Sequence, residues 1–236
     1  MKKKIIITGG SGRFGKILRN YSAKYNLLFP NKKELNILNE KDIKRYLDKN
    51  KADILIHLAG LSRPMKIHEK DIIKSINLNV IGTANITKAC YEKNIKLIYF
   101  STNYVYPGTK GNYKEEDPVF PVNSYAWSKL GGEASVQLYK NSLILRVCMT
   151  EKPFVHKTAF INVKTSFMYQ EEVAKILFRV LHKKGIMNIG GNSKFIYDFA
   201  KKDNPNIKKK YLKKKNNYGV PMDSSMNLSK LKKIIF

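Results

Sequence analysis

A doubly wound α/β fold, a parallel sheet with a small C-terminal lobe, is predicted for this chain by three observations. Ile5, Ile6 and Ile7 run without alternation into Thr8 and the cluster Gly9-Gly10-Ser11-Gly12, the pattern of a buried strand that ends in a tight turn. Phe14, Ile17, Leu18 and Tyr21 then recur at helical spacing, so the turn opens into a helix. Short apolar strands and helical segments keep alternating further along the chain.

The glycine turn suggests a phosphate site. Gly10, Gly12 and Gly15 fit G-x-G-x-x-G, and Gly9, Gly12 and Gly15 also give the spacing T-G-x-x-G-x-x-G after Thr8. Glycines at these places allow positive φ in the turn, approach of the backbone to a pyrophosphate, and close packing of helix on strand. The helix N-terminus adds free N–H groups and a positive dipole end. Arg13 and Phe14, at the helix start, count with Gly9, Gly12 and Gly15 as cofactor-side residues. A tight strand-to-helix turn needs glycine without any ligand too, but the position of this one, opening an α/β alternation, favours a dinucleotide.

Composition narrows the class. With 236 residues, one full α/β core plus a small lobe is expected, divided as 1–150 for NAD(P) binding and 151–236 for substrate. A strand near 186–189 is expected to return to the main sheet. No apolar run approaches 18 residues, and Met1-Lys-Lys-Lys leads straight into strand residues, so neither a membrane span nor a signal peptide is expected. Cys90 and Cys148 lie far apart with no C-x-x-C pattern, which argues against a disulfide framework or metal knuckle and fits a cytoplasmic protein. The net charge of +27 raises nucleic acid as a partner. Only six of the 45 basic residues are arginine, however, and the lysines are spread along the whole chain, which reads as compositional bias. Nucleic acid is therefore not an expected partner, although the positive field would attract an anionic small molecule.

Along the chain, Leu27–Phe29 reads as a second strand that ends at Pro30-Asn31-Lys32-Lys33. An acid at this end would bind the adenosine ribose hydroxyls. With lysines there instead, and Lys32 within reach, NADP is favoured over NAD. Asn39 caps a predicted helix from Glu40 to Asn50. Asp53–His57 is a third strand, followed by Leu58-Ala59-Gly60 at the carboxyl end, where open parallel sheets bind ligands. The four histidines show no ligand spacing, so no metal is expected and His57 reads as structural. Ile72–Glu92 is helical but carries Asn77, Asn79, Gly82 and Thr83; of these Asn79 is counted on the cofactor side, with packing or a kink as the alternative. Lys96–Phe100 is a fourth strand, followed by Ser101-Thr102-Asn103-Tyr104 at the same sheet edge. A long loop, Pro107–Pro121, then leads to Tyr125-Ala126-Trp127-Ser128-Lys129, whose i, i+4 spacing places a phenol and an ammonium on one helix face. Such a cation stabilises tyrosinate and lets the phenol exchange a proton near neutral pH.

Taken together, the T-G-x-x-G-x-x-G turn, L-A-G after the third strand, S-T after the fourth and Y-x-x-x-K resemble the extended short-chain dehydrogenase/reductases. Within them, STNYVYPGT from Ser101, the residues Asn123, Tyr125, Ser128, Lys129, Gly132 and Glu133, and PMDSSMNLSKL from Pro221 to Leu231 are similar to segments of the dTDP-4-dehydrorhamnose reductases. Asn103, Val220 and Asn227 depart from the Asp, Arg and Asp usual there, which bears on the identity of the sugar.

The resemblance implies that Thr102, Tyr125 and Lys129 are catalytic, with Thr102 bonding the substrate carbonyl, Tyr125 donating the proton, and Lys129 lowering the tyrosine pKa and gripping the nicotinamide ribose. It places Ala59 and Gly60 against the cofactor, and Ser101, Asn103, Tyr104 and Tyr125 at a nucleotide-sugar substrate. A homodimer is an expected assembly. A 4,6-dehydratase would carry Asp-Glu after the threonine where this chain has Asn103-Tyr104. A nucleotide-sugar epimerase and a non-catalytic NADP-binding regulatory subunit stay as alternatives. In the lobe, Lys152, Pro153, Phe154, Thr165, Ser166 and Tyr169 are substrate contacts or core, and Lys208–Lys215 reads as a solvated loop.

Overall fold

The computed structural model describes residues 2–213 and 219–235. In chain order its elements are β1 (Lys4–Thr8), α1 (Arg13–Leu18), β2 (Asn26–Leu28), α2 (Glu40–Asn50), β3 (Ile54–His57), α3 (Ile67–Lys70), α4 (Ile72–Ser75), a π-helical stretch Ile76–Ile81 and α5 (Gly82–Glu92). There follow β4 (Lys96–Thr102), a 3-10 turn Asn103–Val105, α6 (Ser124–Gln137), β5 (Ser142–Val147), β6 (Met149–Thr150), β7 (Thr158–Phe160), β8 (Lys164–Thr165) and β9 (Met168–Tyr169). The chain ends with α7 (Gln170–Val180), β10 (Gly185–Ile189), β11 (Lys194–Phe195), α8 (Ile196–Ala200), β12 (Lys208–Lys210) and α9 (Ser229–Ile235). Six strands form the central parallel sheet in the order β10-β5-β4-β3-β1-β2, flanked by helices. The doubly wound α/β fold expected from the sequence is the fold observed.

By their contacts the residues divide into two units. The first holds residues up to Ser101, then Trp127–Leu145 and Leu181–Gly185. Its centre is the strand set expected from the unbroken apolar runs: Ile5–Ile7, Ile54–Ile56, Leu97 and Ile98 are all buried. β1 pairs in parallel with β2 and β3, and β3 with β4. β2 begins one residue earlier than the sequence predicts, at Asn26. The helix Glu40–Asn50 forms as expected, because the Asn39 side chain accepts the N–H groups of Lys41 and Asp42 and buries Ile43 and Leu47 on one face. Ile72–Glu92 is not one α-helix. It widens into a π-helical stretch over Ile76–Ile81, where Asn79 turns inward to hold another loop.

The second unit holds Thr102–Ala126, Arg146–Val180 and residues from Ile186 onward. A buried polar cluster lies within this unit. Tyr106 and Tyr113 stack at 4.8 Å, and the Arg146 guanidinium donates to the Tyr106 hydroxyl and the Glu115 carbonyl. Asn188 accepts from the Tyr106 hydroxyl, donates its amide to the Tyr113 carbonyl, and gives its backbone N–H to Glu115. These bonds tie Tyr106, Tyr113 and Glu115 to Arg146 and Asn188 within this unit.

A second, apolar cluster of the lobe gathers Phe154, Ala159, Val163, Ile196, Ala200, Ile207 and Leu212. Here one expectation is corrected. Lys208–Lys210 forms a strand paired in parallel with Thr158–Phe160, anchored on either side by buried Ile207 and Leu212 while its lysines stay exposed. Lys214 and Lys215 of that basic run lie outside the described residues.

Candidate functional site

The glycine turn after β1 is shaped by close approach. Gly9 has φ 71°, and a Cβ on it would lie 2.6 Å from the Ala59 nitrogen. A Cβ on Gly15 would lie 2.6 Å from the Gly10 Cα, and one on Gly10 would strike the Phe29 ring at 2.5 Å. The Gly12 N–H bonds the Gly9 carbonyl at 2.9 Å, and Gly12 caps α1 with no side-chain group at the first helical amides. Phe14 is buried with its ring 5.2 Å from Phe100, and Arg13 is exposed.

The loop after β3 is held against this turn. Ala59 donates its N–H to the Thr8 hydroxyl. Asn79 accepts the Leu61 N–H at 2.7 Å and donates to the Leu61 carbonyl and the Ser128 hydroxyl. The sequence counts Asn79 as a cofactor contact; the fold engages its amide in bracing the loop that carries Ala59 and Gly60. Gly60 makes room for it, since a Cβ there would come within 2.8 Å of Asn79 Oδ1. Beyond β2, Lys32 is exposed, and the Glu34 carboxylate is turned back onto the Asn31 N–H at 2.8 Å. The acid nearest this strand end is thus tied into its own turn.

His57 lies between two hydroxyls. The Thr83 hydroxyl donates to the Asn79 carbonyl, so it accepts from His57 Nε2–H; Nδ1 in turn accepts from the Thr8 hydroxyl. Burial, and then the Lys129 charge, lower its pKa to about 3. The unfolded chain protonates His57 near 6.5 while the folded one does not, so its contribution to stability is full above that pH and is lost as pH falls toward 3. At pH 5 the expected loss is about 2 kcal/mol. Chemical denaturation of wild type and His57→Gln at pH 5 and 7.5 checks this: the variant should show a flatter pH dependence.

Lys129, on α6, is half-buried with its ammonium 4.2 Å from the centre of the Tyr99 ring. The Tyr99 hydroxyl donates to the Lys129 carbonyl at 2.9 Å. Desolvation lowers the Lys129 pKa to about 7, and the Glu133 carboxylate works against that shift. Ser101, expected at the substrate, is buried and donates to Glu133 at 2.6 Å. Sequence reasoning noted Glu133 only as part of a likeness. The signal for it was an acid four residues after Lys129 on one helix.

In the second unit, Thr102 accepts the Tyr104 N–H and caps the 3-10 turn after β4. Asn103, expected at the substrate, is buried, and its amide donates to Thr165 and Ser224. Tyr104 and Tyr125 are half-buried. Asn123 accepts the Ala126 N–H and so caps the helix start that bears Tyr125. Tyr125 and Lys129 share α6, four residues apart. Of the other lobe candidates, Phe154, Thr165 and Ser166 are buried core, and the Tyr169 hydroxyl bonds Asp203. Among the described residues there is no group of three or more metal-binding side chains, and no helix is long and apolar enough to cross a membrane.

The family model described as RmlD substrate binding domain matches residues 2–182. The chain is 30% identical over 155 residues to methionine adenosyltransferase 2 subunit beta of Xenopus laevis, covering 61% of this chain and 46% of that protein. It is 30% identical over 152 residues to the dTDP-4-dehydrorhamnose reductase of Aggregatibacter actinomycetemcomitans, covering 62% and 51%. The chain thus spans about half the length of the curated relatives it matches. A dTDP-4-dehydrorhamnose reductase from Bacillus anthracis str. Ames, crystallised in complex with NADP, superposes with TM-score 0.87 at 23% identity, covering 100% of this chain and 94% of that one. At that identity the likeness establishes the fold.

Proposed function

Since this chain belongs to the RmlD substrate binding domain family, we propose that it is an NAD(P)H-dependent reductase of a nucleotide-diphosphate 4-keto-6-deoxy sugar, with dTDP-4-dehydrorhamnose as the first candidate. One observation carries the proposal: a phenol and a desolvated lysine stand four residues apart on α6, in a chain whose glycine turn leaves no room for side chains. That turn fits a dinucleotide. Gly9, Gly12 and Gly15, with the start of α1, would hold the pyrophosphate, and Ala59, Gly60, Arg13 and Phe14 would border the cofactor. The tied-back Glu34 and the exposed Lys32 favour NADP over NAD.

When bound, the reduced nicotinamide is the source of the hydride for the sugar's C4. The chain supplies the rest. Thr102 donates a hydrogen bond to the C4 carbonyl oxygen, and Tyr125 gives its hydroxyl proton to that oxygen as it becomes an alkoxide. The Lys129 ammonium stabilises the tyrosinate left behind and would hold the cofactor's nicotinamide ribose. Tyr104 and Tyr125 border the sugar, and Ser101 and Asn103 act through the groups they brace.

A homodimer is proposed on the helical face that exposes Ile72, Ile73, Ile76 and Ile81, and the two buried, unpaired-as-disulfide cysteines fit a cytoplasmic setting. The likeness to a methionine adenosyltransferase subunit supports a second reading, a non-catalytic subunit that binds NADP and a partner enzyme. The test offers NADPH, or separately NADH, with a panel of dTDP- and UDP-4-keto-6-deoxy sugars, and follows reduced-nicotinamide absorbance. Sugar-dependent oxidation supports the reductase. Binding of NADPH without turnover, with a partner copurifying, supports the subunit.

A further inference from the structure

The buried acid behind Lys129 has no role in the mechanism above. Glu133 is fully buried one helical turn after Lys129, on the same face of α6. Ser101, near the end of β4, donates to its carboxylate at 2.6 Å. The helix lies close against its neighbours here: a Cβ on Gly132 would meet the Asn79 carbonyl at 2.5 Å and the Tyr99 hydroxyl at 2.7 Å. A buried carboxylate is costly unless a counter-charge or strong donors face it. A glutamine would accept the Ser101 bond without that cost, whereas an acid here places a negative charge one helical turn from the Lys129 ammonium.

We propose that Glu133 is a positioning residue for Lys129: its carboxylate, fixed by Ser101, is the counter-charge that holds the ammonium over the Tyr99 ring. The role deepens the reductase reading and rests on it. The titratable groups near Lys129 are His57 and His68, which both feel its charge, Tyr99 beneath it, Glu133, and Tyr125 one turn earlier on α6. Desolvation holds both histidines below their ordinary values, so the charge that opposes desolvation of Lys129 comes from Glu133. Removing it leaves desolvation unopposed. Lys129 then loses its proton at lower pH, and the cation that activates Tyr125 disappears from the neutral range.

The experiment titrates Lys129 directly, in protein free of cofactor and substrate. Lysines are reductively methylated with a 13C label, the Lys129 resonance is identified by its absence in Lys129→Arg, and its midpoint is read by NMR. Glu133→Gln, which keeps the volume and the Ser101 bond, should lower the midpoint by about one unit, and Glu133→Asp should restore part of it. The high-pH limb of turnover should move down with it, for a roughly tenfold loss near pH 8. An unmoved midpoint in folded Glu133→Gln overturns the proposal. Should that variant fail to fold, Glu133→Asp is read instead: it keeps the charge but draws it back by one methylene, so a smaller downward shift is expected and an unmoved midpoint again overturns the proposal. A shifted midpoint in a protein that turns over no sugar refutes the reductase reading and leaves the positioning intact. An active enzyme with an unmoved midpoint does the reverse.

Discussion

Tyr125→Phe should lower turnover of a nucleotide 4-keto sugar by about a thousandfold while leaving NADPH affinity within about twofold of wild type. The substitution removes one oxygen from a half-buried ring in the first turn of α6 and keeps the ring itself, so the helix and its Asn123 cap stay in place. What is lost is the proton for the alkoxide. Because that proton is needed only as charge develops on the carbonyl oxygen, the loss should fall on kcat and spare the ground-state affinities. Steady-state kinetics beside a fluorescence titration with NADPH separates the two. Equal losses in binding and turnover would point to a damaged fold, and unchanged turnover would remove Tyr125 from the chemistry.

Gly9→Ala should be the most damaging change in the glycine turn. The new methyl group would sit 2.6 Å from the Ala59 nitrogen and 2.8 Å from the Ala59 Cα, and the backbone at φ 71° disfavours any side chain. Strain and overpacking together are expected to cost about 3 kcal/mol, which for a chain of this size lowers the Tm by roughly 6–12 °C. The added stability that saturating NADPH confers on wild type should also shrink, since Ala59 must move away from the turn. Gly185→Ala is the control. Its φ of 82° is also positive, but nothing lies within 4 Å of the new Cβ, so only about 1 kcal/mol is expected. Thermal melts with and without NADPH compare the two, and equal effects would show that close approach to the β3 loop is not what fixes Gly9.

These two positions were legible in the sequence because each is dictated by local chemistry. A glycine turn between a buried strand and a helix, or a phenol four residues before a lysine, is a short-range pattern. Asn39 belongs to the same class, since a cap is fixed by its own next three residues. What the sequence could not give depends on distant partners. Asn103 reads as a polar residue beside Thr102, and its bonds to Thr165 and Ser224, far along the chain, leave no mark on its local sequence. Asn79 is similar: its inward turn toward Leu61 goes with a π-helical stretch that residue periodicity does not register. The buried polar cluster is of the same kind, because Asn188 reaches Tyr106 and Tyr113 across more than 70 positions. Lys208–Lys210 was misread because charge says where side chains point and little about the backbone ladder.

The most direct measurement of the central claim uses NADPH carrying deuterium at the transferable position of C4 of its nicotinamide, incubated with the purified chain and dTDP-4-dehydrorhamnose. The sugar product is then examined by mass spectrometry and NMR. Transfer of deuterium to C4 of the sugar, lost in Tyr125→Phe, is the predicted result. Bound NADPH whose label never reaches the sugar, with this substrate or any of the 4-keto-6-deoxy panel, would contradict it.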